Sequence, residues 1–268
     1  MTVRRIALVA GAGQLPGLLV EAALAAGSEL CVFALAPLAL PAGVRVRPAR
    51  IDDPAALIWA IREEGPTDLV LAGAVSIPEA QRRAIAAALG GSSTATTDVA
   101  LSGLAGQLQR LTGARLVGPH ELLPHLLAPA GRIAGAPLDG HREAAARFAV
   151  DAARAVGRLD LGQAAVTTGT RLLAAEDVAG TDALLIRIGA YRAEGLLGEA
   201  ALVLGKAAKP QQPLLIDLPT IGPDTVSAAA AAGIDLIAVE ARRTLVLDID
   251  ELRRRAAAAG VSVVALDG

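Results

Sequence analysis

Aromatic side chains are nearly absent from this chain: Phe33, Trp59, Phe148 and Tyr191 are all it has in 268 residues. A core must therefore come from Ala, Leu, Val and Ile, and the stacking platforms that hold single-stranded nucleic acid are excluded. A net charge of −2 removes the electrostatic case for a nucleic-acid backbone. Cysteine occurs once, at Cys31, so neither a disulfide framework nor a cysteine zinc site can form. Of three histidines, His120 and His125 stand five apart, which is not the i, i+4 spacing of a helical zinc pair. No G-x-x-x-x-G-K-[ST] and no G-x-S-x-G occurs, which argues against a P-loop and a serine-hydrolase elbow. No run of about 20 residues lacks both breakers and charges, as a membrane span would. Arg4-Arg5 ahead of IALVAGAGQLPGLLV resembles a signal peptide, but Gly11, Gly13 and Pro16 interrupt the run and Glu21 follows it. The chain reads as cytoplasmic.

What is present is α/β material. Hydrophobic residues make up 53% and charged residues 19%, enough to fill a core and to exclude disorder. Short apolar runs at 5–10, 30–34, 68–72 and 115–117 predict strands buried on both faces. They alternate with helical stretches at 18–26, 54–64, 78–89 and 98–111, and a short helix ending near 127 follows the last strand. Asp53 is placed as an N-cap with Pro54 at the first helical position. This alternation predicts a Rossmann-like doubly wound domain over 1–127. Residues 128–140, APAGRIAGAPLDG, read as a Gly/Pro-rich linker. Residues 141–268 read as a second, mixed α/β domain. It has a helix over 141–156, a hairpin turning at Thr168-Gly169-Thr170, strands at 201–204, 214–216, 236–239, 244–247 and 261–265, and helices at 183–189, 224–232 and 249–259.

Two places suggest a site. In the first domain, Gly11-Ala12-Gly13-Gln14-Leu15 turns from a strand into a helix, where glycines admit a ligand and helix amides favour an anion. Its G-x-G-x-x-x-G spacing is not the full dinucleotide fingerprint, so a nicotinamide oxidoreductase is only faintly signalled. Gly73 follows the strand at 68–72, at the end where open α/β sheets bind ligands. In the second domain, KAAKPQQPLLIDLPTIGPDT (206–225) brings Lys206 and Lys209 near an acid, Asp217, at a strand end, with Thr220 and a helix start close behind. That combination suits a phosphate and metal site, as does an ordinary strand–turn–helix with a solvated acid. Asp182 and Glu240 are the acids that could join Asp217 on magnesium, while Asp160 and Asp182 are equally suited to capping. The lysines would neutralise phosphate oxygens.

The segments VAGAGQLPG (9–17), GPHELLPHLLAPAG (118–131), GRLDLGQAAV (157–166), AGTDALLIR (179–187), KAAKPQQ (206–212), IDLPTIGPDT (216–225) and VEA (239–241) carry a family likeness. In this order and across nearly the whole chain, they resemble the UDP-2,3-diacylglucosamine pyrophosphatases of the LpxI type. The resemblance implies two α/β domains and magnesium-dependent hydrolysis of UDP-2,3-diacylglucosamine to 2,3-diacylglucosamine 1-phosphate and UMP. It implies that Asp217 is the essential acid; on the hydrolase reading, Asp217 and Glu240 are the expected metal ligands. Asp182 and Lys206 would be catalytic, and Gly11, Gly13, Gln14, Leu15, Gly73, Lys209, Gln163, Thr181 and Thr220 would bind substrate. A lipid-linked nucleotide sugar is the implied partner, with a peripheral contact at the inner membrane and a homodimer as further expectations. The chain lacks charges usual in the family at Ile77, Thr97, Ala179, Pro213 and Leu215. Those departures motivate the alternative of a non-catalytic relative that binds a nucleotide sugar or lipid phosphate.

Overall fold

The structure is a computed structural model that describes residues 3–75, 97–210, 215 and 218–267, with backbone only for 97–104. The chain divides near residue 125 into two compact units. Asp217, the expected helix at 78–89 and residues 214 and 216 of the expected strand at 214–216 fall outside the described residues, and Leu215 between them is in a turn.

The first unit is a five-stranded parallel sheet in the order β3-β2-β1-β4-β5. Its strands are β1 (Arg5–Ala10), β2 (Glu29–Ala34), β3 (Arg45–Pro48), β4 (Asp68–Ala72) and β5 (Arg115–Val117). This is the doubly wound order 3-2-1-4-5, and its switch point lies between β1 and β4. Ile6 to Ala10 are all buried, as expected of a strand covered on both faces. Helix α1 (Leu15–Ala25) packs on β1 and β2. Helices α2 (Pro54–Glu64) and α3 (Thr97–Thr112) supply Leu57, Ile61 and Leu108 to the core of Ala7, Val9, Phe33 and Leu69. Asp53 caps α2, its carboxylate accepting from Ala56 N–H at 3.0 Å. Past β5 the chain makes only a four-residue helix, α4 (Pro119–Leu122), and a 3₁₀ turn at Pro124–Leu126. Pro124 stops the longer helix that the apolar pattern predicts.

The second unit is built on a six-stranded sheet ordered β6-β13-β11-β9-β7-β8. The inner strands β9 (Val203–Lys206), β11 (Leu236–Glu240) and β13 (Ser262–Leu266) are mutually parallel. The outer strands β6 (Gly131–Ala134), β7 (Ala164–Thr167) and β8 (Leu172–Ala175) run antiparallel to their neighbours. A separate parallel pair joins β10 (Thr220–Ile221) to β12 (Leu245–Val246). Helix α5 (Gly140–Arg158) covers one face of the large sheet, meeting Ala165, Val203, Leu236 and Ala238. Helices α6 (Gly180–Ala193), α7 (Pro223–Ala231) and α8 (Ile249–Ala259) cover the other, meeting Val166, Leu204, Ile237, Val239 and Val263. Helix α5 lies very close to β9: a Cβ at Gly205 would stand 2.1 Å from the Ala149 carbonyl oxygen. No described helix is long and apolar enough to cross a membrane.

Several expectations are corrected here. The 128–140 stretch is not a free linker. Ala128 N–H donates to the Thr244 carbonyl, its own carbonyl accepts from Arg242 N–H, and β6 adds an edge strand to β13. Glycine and proline hid that strand because an edge position tolerates both. Thr220-Ile221, expected as loop, pairs with β12, so the 244–247 strand belongs to the small sheet. Helix α6 starts at Gly180 rather than Ala183, with Ala179 as its N-cap.

Candidate active site

The side-chain period of two decides which groups meet at the carboxyl edge of the second sheet. Leu204 faces α6 to α8, and so does Lys206 two residues on; Leu236 and Ala238 face α5, and so does Glu240. Lys206 is in register with Val239, one residue short of Glu240, so the two charged side chains leave on opposite faces.

On the α6 side, buried Lys206 donates from Nζ to Thr181 Oγ1 at 3.1 Å and to the Thr220 carbonyl at 3.1 Å. Thr181 lies in the first turn of α6, and its hydroxyl donates to Glu176 Oε1 at 3.0 Å. Glu176 Oε2 accepts from Gln163 N–H at 2.7 Å. The Thr220 hydroxyl donates to the Leu218 carbonyl at 3.1 Å. Thus Lys206, Thr181, Thr220 and Gln163, all read from sequence as site residues, converge in one network.

Lys209 sits just beyond and is bound by Asp160 at 2.7 Å, both side chains being about nine-tenths buried. Asp160 takes a left-handed backbone, φ 54°. A cost of this kind is borne where the surroundings fix the residue, and here Lys209 does so. The chain contains only two lysines, and both stand here; every other basic side chain is arginine. Lysine presents a compact point charge with rotatable donors, whereas arginine presents a flat fork. That restriction is the clearest signal in the sequence for this site, and composition sums conceal it.

On the α5 side, Glu240 is fully engaged. Its Oε1 accepts from Arg154 Nε at 2.7 Å and its Oε2 from Ala208 N–H at 2.6 Å. Burial works against the charge of Arg154, but the carboxylates of Glu240 and Asp151 outweigh it and raise its pKa. Glu240 therefore holds the loop after β9 in place and does not join Lys206. Asp182 is exposed in the first turn of α6 and is not drawn into the network. Among the described residues no group of three His, Cys, Asp or Glu side chains could hold a metal ion. The proposed magnesium pair of Asp217 and Glu240 has one member outside the described residues and the other committed to Arg154.

In the first unit the glycines do a different job. A Cβ at Gly11 would stand 2.3 Å from the Ala74 carbonyl oxygen, and one at Gly73 2.7 Å from the Ala12 carbonyl oxygen. The loops after β1 and β4 lock together through Gly11 N–H to Ala72 O and paired bonds between Ala12 and Ala74. Gly11 and Gly73 thus make room for backbone. Gly13, φ 102°, and Gln14 are exposed, and Leu15 is half-buried at the start of α1. This exposed part of the turn is the part left to meet a ligand.

Fold and edge define an α/β protein of two units, the second carrying one buried lysine at a strand end and another just beyond it. The chain belongs to the LpxI family: its residues 5–126 match the LpxI N-terminal domain and 129–264 the LpxI C-terminal domain. A relative from Caulobacter vibrioides, UDP-2,3-diacylglucosamine pyrophosphatase LpxI, is 34% identical over 279 residues, covering 98% of each chain. Among solved structures, a Thermus thermophilus UDP-glucose 4-epimerase complex with NAD is 16% identical over 98% of this chain and 85% of that one, with a TM-score of 0.34. The Bordetella bronchiseptica enzyme WbmG with NAD and UDP is 23% identical over 42% of this chain and 36% of that one, with a TM-score of 0.30. Neither likeness is strong enough to carry an argument.

Proposed function

We propose that this chain hydrolyses the pyrophosphate of UDP-2,3-diacylglucosamine to 2,3-diacylglucosamine 1-phosphate and UMP, a step of lipid A biosynthesis. The observation that carries this reading is the end-to-end match to a pyrophosphatase, at 34% identity over 98% of both chains. The geometry agrees with it. Lys206 is a buried cation at a strand end beside the first turn of α6, where free helix amides also favour an anion. In this reading Lys206 and those amides stabilise the charge that develops on phosphate oxygens in the transition state. Asp217 takes a proton from the attacking water as the new P–O bond forms and the bridging P–O bond breaks. Lys209, held by Asp160, anchors the chain segment that leads to Asp217.

Magnesium dependence and a peripheral membrane contact belong to the same reading. The acids among the described residues do not by themselves fit a magnesium ion, since Asp182 stands apart and Glu240 is spent on Arg154. The test is UMP release from UDP-2,3-diacylglucosamine with added magnesium and with a chelator. Release by the wild type and its loss in Asp217→Ala support the reading. Tight binding of substrate without release under any divalent ion favours a binding protein instead.

A further inference from the structure

We infer that Glu176 is a positioning residue that aims Lys206 through the Thr181 hydroxyl; the inference rests on the reading of Lys206 given above. A threonine hydroxyl has one proton and two lone pairs. Glu176 Oε1 takes that proton at 3.0 Å, which leaves a lone pair to face the Lys206 ammonium at 3.1 Å. Without an acceptor behind it, the hydroxyl can rotate its proton toward Lys206, and a donor then faces a donor. The carboxylate thereby fixes the hydroxyl rotor and places a negative charge two hydrogen bonds from the ammonium.

Glu176 is itself held on both sides. Its Oε2 accepts from Gln163 N–H at 2.7 Å, and its own N–H donates to the Ala164 carbonyl at 2.9 Å. The loop opposite is cut to admit it: a Cβ at Gly162 would stand 2.6 Å from Glu176 Cβ and 2.8 Å from Cγ. Three segments of the edge, the loops before β7 and after β8 and the first turn of α6, thus meet at one carboxylate. The sequence likeness did not mark this residue, and no acid at this distance from Lys206 can be read from spacing alone.

The variant Glu176→Gln keeps the shape and removes one acceptor. The Gln163 N–H is fixed in the backbone, so it claims the amide oxygen. The amide NH₂ then faces Thr181 and forces its proton elsewhere. The expected result is a fall in kcat of roughly tenfold to a hundredfold, the scale of a misaimed group. KM stays within about twofold, because the aimed charge acts in the transition state. Thr181→Val gives a similar fall, Thr181→Ser restores the rate, and Glu176→Gln with Thr181→Val is no worse than the poorer single variant, since both act through one hydroxyl. With only two lysines in the chain, ¹⁵N-lysine labelling of the full-length protein gives two ammonium environments, which reads the same effect without activity. In Glu176→Gln the Lys206 signal shifts and exchanges faster, while that of Lys209 stays. A kcat equal to wild type, full additivity of the two variants, or an unmoved Lys206 signal overturns the inference. A wild type that releases no UMP, with the Lys206 signal still shifting in Glu176→Gln, overturns the hydrolase reading and leaves the positioning intact.

Discussion

At the carboxyl edge of the first sheet, β1 and β4 run out into Gly11 and Gly73; at the same edge of the second, β9 and β11 end in Lys206 and Glu240. Both are parallel strand ends at the position where such sheets take ligands. In the first unit the edge is closed by backbone against backbone, and glycine serves by having no side chain. In the second it is closed by buried charges, each given an opposite charge or an oxygen. A glycine after a strand therefore does not by itself signal a ligand, because another loop can fill the space it leaves. A lysine buried at a strand end is more telling, since its charge must be answered by something.

The sharpest way to test that contrast is at the charged edge. Asp217→Ala and Lys206→Met should each lower kcat by about a hundredfold to a thousandfold or more, with the fold retained by circular dichroism. An active Lys206→Met would move the chemistry elsewhere. Next in size is Arg154→Ala, which strips buried Glu240 of its hydrogen-bonded cation and leaves only Arg243 at 3.9 Å; it should cost about 3 kcal/mol of stability in urea unfolding. Glu240→Gln combined with it should recover part of that loss, because the unpaired charge is gone.

At the glycine edge, Gly73→Ala forces a side chain onto a backbone with φ 90° and toward the Ala12 carbonyl. About 2 kcal/mol should be lost, read as exposed amides in the loops after β1 and β4 by hydrogen exchange. Unchanged protection there means that those loops do not lean on one another. The smallest effect concerns Asp68, at the opposite edge of the first sheet. Burial alone would raise its pKa, but hydrogen bonds from Arg4, Thr67 and Arg115 outweigh this and hold it below the usual carboxylate range. A depressed carboxyl contributes stability above about pH 4 that is lost as the pH falls through its own lowered value. Asp68→Asn should therefore be less stable than wild type at pH 7, by roughly 1 kcal/mol, the scale of one net hydrogen bond. The gap should narrow toward pH 3, and a constant gap would show that packing, not charge, is responsible.

Strands β1, β2 and β4 and helices α1 and α2 of the first unit were legible because each is a largely apolar stretch with its own stop, as at Asp53-Pro54 and Gly65. The hairpin of β7 and β8 was legible from Thr168-Gly169-Thr170, where Thr168 N–H reaches the Arg171 carbonyl at 3.0 Å. Lys206, Thr181, Thr220 and Gln163 were expected at a site through motif likeness, and the structure links them in one hydrogen-bond network, Gln163 by its backbone N–H. β6 was hidden by glycine and proline, which mark a loop and are equally at home on an edge strand. The separation of Glu240 from Lys206 was hidden because it depends on pairing register: one step along neighbouring strands sends a side chain to the other face. Glu176 and Arg154 were hidden because their roles come from folded neighbours far along the chain, with no local pattern to announce them.

The bare strip at Gly205 makes α5 a lever. The helix rests main chain to main chain on β9, with Ala149 as its bearing and no side chain between to absorb a shift. From that bearing one arm carries Arg154 to Glu240, and the turn beyond its far end carries Asp160 to Lys209. A single extra methyl at position 205 would lift the bearing and swing both ion pairs at once. The aim of the charged edge is thus set by a residue that carries no charge and stands directly before Lys206 on β9.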